Sequence, residues 1–358
     1  MDFLAAYSAI NQGHCHPKII AALIDQVRRV ALTSRAFRND QLGPFLCDLC
    51  ELAGFERALP MNTGAEGVET AIKAARKWAY TVKGVPDGEA EILVFHRNFH
   101  GRTTTIVGFS SEEQYCHGFG PFTPGFRLLP YGDAAVVEAA MGPNTAAVLV
   151  EPIQGEGGII VPPAGYLRAL RRITREHGAL LVLDEIQAGL GRTGTLFAYQ
   201  HEGIRPDVVI VGKALSGGLY PVSAILADDW VMGVFHPGDH GSTYGGNPVA
   251  AAVARAALKA LIDEGMIENS ARLGEYFLAR LRELDSPFIA EVRGKGLWIG
   301  IQLKPEAGGA RRFCEALQRD GLLCKETHET VIRIAPPLTI TKPEIDWALE
   351  RLAKVLAA

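Results

Sequence analysis

The sequence predicts an α/β protein in which a mostly parallel sheet carries helices on both faces and a smaller α+β domain follows. Three observations carry this expectation. Between Pro17 and Ile262, short apolar runs (EILVFH, TAAVLVEPI, ALLVLDEI, DVVIVGKAL) alternate with segments of helical periodicity. The runs are apolar at consecutive positions, as in strands covered on both faces. After Asn247 the alternation gives way to helices and then to a second group of strand-like runs.

Residues 1–16 form a short N-terminal segment, and NQGHCHPKI turns into a helix at Pro17. His14, Cys15 and His16 are consecutive, so they read as a turn rather than as ligands converging on one ion. PKIIAALIDQVRRV and QLGPFLCDLCELAGF both show helical spacing; Cys47 and Cys50 of the latter belong to packing, because no second pair completes a zinc site. In LPMNTGAEGVETAIKAARKWA, Asn62-Thr63-Gly64 precede a helix with Glu66 and Glu69 in its first turns. Free backbone N–H groups and the positive helix end there are suited to a phosphate. GSTYGGNP, Gly241 to Pro248, is a second glycine-rich stretch ahead of a helix. The large domain is expected over 17–262 and the small one over 263–358. The latter comprises the helix ENSARLGEYFLARLREL, the strand-like EVRGKGLWIGIQL, a helix through FCEALQRDG, the strand VIRIAPP and a last helix from Pro343.

With 358 residues, 48 % of them hydrophobic, the chain is long enough for a sizeable core. Its net charge of −4 is not gathered into blocks, so neither nucleic acid nor an anionic membrane is an expected partner; small molecules or a second copy are. No apolar stretch approaches the roughly 20 residues of a membrane span. MDFLAAYSAI lacks a basic leader, and six cysteines are too sparse for a disulfide framework, so a cytoplasmic location is expected.

The strand ends are where the chemistry gathers. TAAVLVEPIQGEGG ends in Glu151 and carries Glu156 in a glycine-rich loop, ALLVLDEI ends in Asp184 and Glu185, and DVVIVGK ends in Lys213. In open α/β sheets ligands bind beyond the carboxyl ends of the strands, so adjacent strands would bring carboxylates and a lysine to one crevice. LLVLDE also fits the magnesium-binding strand of a nucleotide hydrolase. That reading needs G-x-x-x-x-G-K-[ST], and neither Gly-Lys pair, at Lys213 or Lys295, completes it. A lysine able to form a Schiff base, a buried carboxylate, a helix-end phosphate site and an aromatic, Phe99 in HRNFHGRTTT, are together what pyridoxal phosphate chemistry requires. Desolvation and a cationic neighbourhood are expected to lower the pKa of Lys213. No metal is expected.

Over essentially its whole length the sequence resembles the class III pyridoxal phosphate-dependent aminotransferases, above all those acting on ornithine. NQGHCHPKI, LTSRAF, LPMNTGAEGVETAIKAARKW, HGFGPFTPGF, VEPIQGEGG, DEIQAGLGRTG, GKALSGGLYPVSA, GSTYGGNP and VRGKGL occur in family order. The resemblance implies the type I fold of such transferases, with a seven-stranded sheet in the large domain, working as a homodimer with shared active sites. It makes Lys213 the Schiff-base lysine, Asp184 the partner of the pyridine nitrogen and Gln187 the contact of the ring hydroxyl. Phe99 and Ile186 would flank the ring, Gly64 and Ala65 would bind the phosphate, and Ser242 and Thr243 would reach the phosphate of the other subunit. Arg102 and Tyr7 would serve ornithine, and Arg333 the carboxylate of glutamate or 2-oxoglutarate, with Glu156 neutralising Arg333 while ornithine is bound. The implied reaction converts L-ornithine and 2-oxoglutarate into glutamate 5-semialdehyde, which cyclises to pyrroline-5-carboxylate, and glutamate. Acetylornithine or 4-aminobutyrate as donor, and an inactive binding protein, are the alternatives. Family members also carry some tens of residues ahead of the stretch matching Met1, one of them a tyrosine at the ornithine carboxylate. The expectation is a start placed late or a shortened form, with Tyr7 loosely held.

Overall fold

The computed structural model describes residues 1–357. Seven strands form the larger sheet: β1 (Arg57–Met61), β2 (Glu91–Phe95), β3 (Phe126–Leu129), β4 (Thr145–Val150), β5 (Leu180–Asp184), β6 (Val208–Val211) and β7 (Ser223–Ala227). Their spatial order is β1-β7-β6-β5-β4-β2-β3. All neighbouring pairs are parallel except those made by β7, which runs against both β1 and β6.

The apolar runs are explained by the two cores they join. Along β6, Val209 and Val211 enter one buried cluster while Val208 and Ile210 enter the other; β5 divides Leu181 and Leu183 from Leu180 and Val182 in the same way. Successive side chains of a strand point to opposite faces, so helices on both faces require apolar residues at every position. Burying those faces drives the assembly, at roughly 25 cal/mol per Å² of apolar surface.

Beyond β7 the helices Pro248–Asp263 and Met266–Arg282 lead to an antiparallel sheet ordered β10-β11-β9-β8. It comprises β8 (Ile289–Lys295), β9 (Trp298–Leu303), β10 (Lys325–Thr327) and β11 (Val331–Ile334). The run EVRGKGLWIGIQL is therefore a hairpin, closed where Lys295 faces Trp298. No helix among the described residues is long and apolar enough to cross a membrane.

The N-terminal segment is held firmly, contrary to the expectation for Tyr7. Phe3 is fully buried; its N–H donates to Leu323 O at 2.8 Å and its carbonyl accepts from Ala335 N at 2.6 Å. Ala5, Ala6, Tyr7 and Ser8 all have φ between 46° and 68°, a left-handed turn that costs L-residues about 1–2 kcal/mol each. Asp2 Oδ1 accepts the N–H groups of Leu4 and Ala5 at its start.

Candidate active site

Because β1, β2, β4, β5 and β6 run the same way, the loops after them emerge at one edge of the sheet. Gly64, Ala65, Phe99, Asp184, Ile186, Gln187 and Lys213, all predicted from sequence, line one cavity of about 230 Å³ there. β4, β5 and β6 are adjacent, which sets Glu151, Asp184 and Lys213 at neighbouring strand ends.

Each wall has a local cause. The helix Gly64–Trp78 begins with a capping box: Thr63 Oγ1 accepts from Glu66 N at 3.3 Å and Glu66 Oε2 accepts from Thr63 N at 2.6 Å. The N–H groups of Gly64 and Ala65 take no partner among the described residues and lie at the positive helix end. Gly101 packs the Phe99 loop onto that helix, since with φ +133° a Cβ would also lie 2.9 Å from Ala65 Cβ.

His100 is the residue that sequence reasoning missed. Its imidazole is buried and its Nδ1 lies 2.7 Å from Asp184 Oδ2, while Asp184 Oδ1 accepts from Ile186 N at 3.0 Å. Burial works against the imidazolium, but the hydrogen bond and charge of Asp184, with the charge of Glu151, raise the His100 pKa above its ordinary value. In the sequence it stands between Phe99 and Gly101, with no local pattern that names its partner. Glu151 accepts from Phe99 N at 3.0 Å and from Gly155 N at 3.2 Å, and burial pushes its carboxyl up to about 7.

Lys213 has φ +43°, in the left-handed region that disfavours side chains, and its ammonium has no hydrogen-bond or ion-pair partner among the described residues. Its pKa is lowered as expected, but the cause is loss of hydration. Of the charges facing it only Arg333 is cationic, while Asp184, Glu156 and Glu151 oppose the shift, so the expected cationic neighbourhood is corrected to a mostly anionic one.

A second cluster adjoins the cavity through Gln187. Arg333, on β11 opposite Gly300, is 1 % exposed; its Nη1 donates to Glu156 Oε1 at 2.6 Å and its Nη2 to Gln187 Oε1. Its guanidinium lies 5.1 Å from the Tyr7 ring centroid and 5.9 Å from that of Trp298. Although burial favours the neutral acid, the charge and hydrogen bond of Arg333 hold Glu156 below its usual range. Gly155 leaves room for this contact, because a Cβ there would sit 2.7 Å from Gln187 Oε1 and 2.8 Å from Trp298 Cζ2.

Besides Tyr7, Glu156 and Arg333 of this second cluster, three more predicted residues lie outside the cavity wall. Ser242 and Thr243 line a separate open cleft with Leu32 to Arg35, where Ser242 Oγ accepts from Asn62 Nδ2 at 3.0 Å. Arg102 is exposed on the Phe99 loop. The histidine–cysteine turn diverges: His14 meets Asp2 at 2.8 Å and His16 meets Glu264 at 3.1 Å. No group of three or more His, Cys, Asp or Glu side chains among the described residues is placed to hold a metal.

Residues 1–356 match the family model for class-III aminotransferases. An ornithine aminotransferase of Bordetella pertussis is 57 % identical over 357 residues, covering 100 % of this chain and 87 % of the relative. Two solved structures, each 45 % identical, cover 99 % of the chain. One is an ornithine aminotransferase of Toxoplasma gondii, described with PLP at its active site, with a TM-score of 0.98 and 85 % of that chain covered. The other is an acetylornithine aminotransferase of Elizabethkingia anophelis, with a TM-score of 0.89 and 88 % covered. A full-length family match and this level of identity agree with the cavity's chemistry: the chain belongs to the class-III aminotransferases, enzymes that depend on pyridoxal phosphate.

Proposed function

We propose that this aminotransferase moves the δ-amino group of L-ornithine to 2-oxoglutarate, giving glutamate 5-semialdehyde, which cyclises to pyrroline-5-carboxylate, and glutamate. The observation that carries this reading is Arg333 paired with Glu156 beside Tyr7. An uncompensated arginine there would capture an α-carboxylate and present the α-amine. Neutralised by Glu156, it leaves the ornithine carboxylate to Arg102 and the δ-amine to the cavity. A dicarboxylic oxo acid would then displace Glu156 and take Arg333, which suits two half-reactions using one site in turn.

The residues fit the family's cofactor: an unpaired lysine, two unpartnered helix-end N–H groups and a buried carboxylate face one cavity. When bound, pyridoxal 5′-phosphate supplies the carbonyl that takes up the amino group and a ring that accepts electrons from the broken bond. Gly64 and Ala65 would hold the phosphate, Phe99 and Ile186 the ring faces, and Gln187 the ring hydroxyl. Asp184 would pair with the ring nitrogen, with His100 fixing the carboxylate. Lys213 would anchor the cofactor and carry the proton between substrate carbon atoms and cofactor, a task that its lowered pKa supports. Ser242 and Thr243 are read as serving a second copy: their cleft is open, and Leu32 on its wall and neighbouring Tyr244 leave apolar surface exposed.

The test is turnover of the purified holoenzyme with ornithine, N-acetylornithine and 4-aminobutyrate in turn, each with 2-oxoglutarate. Ornithine is expected to give the highest kcat/KM, by about tenfold or more, as a buried charge pair discriminates strongly. Preference for acetylornithine would overturn the substrate reading, and absence of turnover with any donor would favour a binding protein. A sedimentation mass of two chains checks the homodimer.

A further inference from the structure

Arg102 is held in an unusual way. It makes no hydrogen bond or ion pair among the described residues, yet its guanidinium lies 4.0 Å from the ring centroid of Tyr115 and 5.7 Å from that of Phe99. Tyr115 belongs to the short helical turn Glu113–Cys116, is half-buried, and meets Phe99 edge to face with centroids 6.0 Å apart. The three side chains close a triangle beside the cavity wall at Phe99, with the guanidinium nearer to the Tyr115 ring than to the Phe99 ring. A ring face attracts a flat cation without occupying its N–H donors, so Arg102 is placed while its five donors remain free for a carboxylate. The phenol also lies within the fields of Arg102, Glu156, Glu112 and Tyr7.

We propose that Tyr115 is a positioning residue for the donor substrate: its ring face fixes Arg102 so that the guanidinium meets the α-carboxylate while the distal amine reaches Lys213. This rests on the reading of Arg102 as the carboxylate-binding residue. The hydroxyl has no part in it.

Steady-state kinetics of the holoenzyme test this with two replacements of similar bulk. Tyr115→Leu removes the ring face and is expected to raise the KM for ornithine about fivefold, the scale of one cation–π contact, with kcat unchanged. Tyr115→Phe keeps the face and is expected to match the parent enzyme. Equal loss in both variants, or a fall in kcat or in the thermal midpoint of Tyr115→Leu, would overturn the proposal, since the first assigns the effect to the hydroxyl and the second to general disruption of the loop. Arg102→Ala separates the two readings. If it raises the ornithine KM while Tyr115→Leu does not, the positioning role fails and the reading of Arg102 stands. If Arg102→Ala is without effect, the reading of Arg102 itself fails.

Discussion

Lys213 and Arg333 are the two cations at the heart of the site, and they are held in opposite ways. Lys213 follows β6 of the large sheet with its ammonium unpartnered among the described residues, whereas Arg333, on β11 of the small sheet, is bonded to Glu156 and Gln187 and lies near two aromatic rings. The difference follows from acid–base chemistry. A lysine deprived of water can release its proton and become a nucleophile, whereas an arginine stays charged and must be compensated wherever it is buried. A site that needs one reactive amine and one switchable anion receptor is thus served by an unpaired lysine and an arginine whose counter-ion sits on a loop.

The comparison is broken most directly at Lys213. Lys213→Ala is expected to lower transamination by about 10⁴-fold, since anchor and proton carrier are lost together. The far-ultraviolet circular dichroism spectrum and the thermal midpoint of the cofactor-free protein should remain near those of the parent, because the ammonium has no partner among the described residues. Unfolding of this variant would show that the lysine is structural; retained turnover would show that the amine is not the reactive one.

Next in size is a pH effect that depends on how much negative charge faces Lys213. The Glu151 carboxyl, at about 7 in the folded chain, stands above its ordinary 4.5, so the folded state binds this proton more tightly than the unfolded chain. The stability it contributes is complete below about pH 4.5 and is lost as the pH rises to 7, by about 3 kcal/mol at ~1.4 kcal/mol per pH unit. Glu151→Gln cannot lose it. Whatever constant cost that variant has from a lost acceptor, its stability relative to the parent is expected to improve across this window, as denaturant titrations at several pH values would show. A constant difference would mean that Glu151 is already ionised when folded.

Glu156 tests the other half of the comparison. Glu156→Ala leaves Arg333 uncompensated and is expected to cost about 2 kcal/mol, less than a fully buried pair because 23 % of the Glu156 side chain is exposed. In kinetics, ornithine kcat/KM should fall about tenfold while glutamate improves as amino donor, a reversal that simple damage to the fold would not give. Loss with both donors would refute the switch.

What could be read from sequence divides along the same line. The residues around Lys213 sit at the ends of buried strands, where a polar residue after VVIV or LLVLD stands out, and their sites follow from strand order. β1, β3, β7 and β10 were not legible. β1 contains Pro60, tolerated because that strand lies at an edge; β3 and β10 carry the charged Arg127, Lys325 and Glu326, and β7 runs from Ser223 to Ala227 with only Ile225 β-branched. The Arg333 cluster was named through resemblance alone: it joins the N-terminal turn, a large-domain loop and the second sheet, a convergence that no local pattern encodes. His100 escaped because a histidine beside a phenylalanine announces no partner, and Asp184 lies 84 residues away.

The smallest expected effect comes from His100. Asp184 could act as an anion without help, as a carboxylate at a strand end, or it could need His100 to orient it. His100→Phe keeps a ring of similar size and removes the donor, so kcat is expected to fall about tenfold, the worth of one charge-assisted hydrogen bond, while Arg333 and the KM for 2-oxoglutarate are untouched. The raised pKa of His100 gives a second signature. The imidazolium stabilises the fold fully below its unfolded pKa and ceases to do so as the pH rises through the higher folded value. The stability gap between parent and His100→Phe should therefore be widest in acid and narrow toward alkaline pH. A gap independent of pH would make His100 a neutral packing residue, leaving Asp184 as self-sufficient as the unpartnered Lys213 beside it.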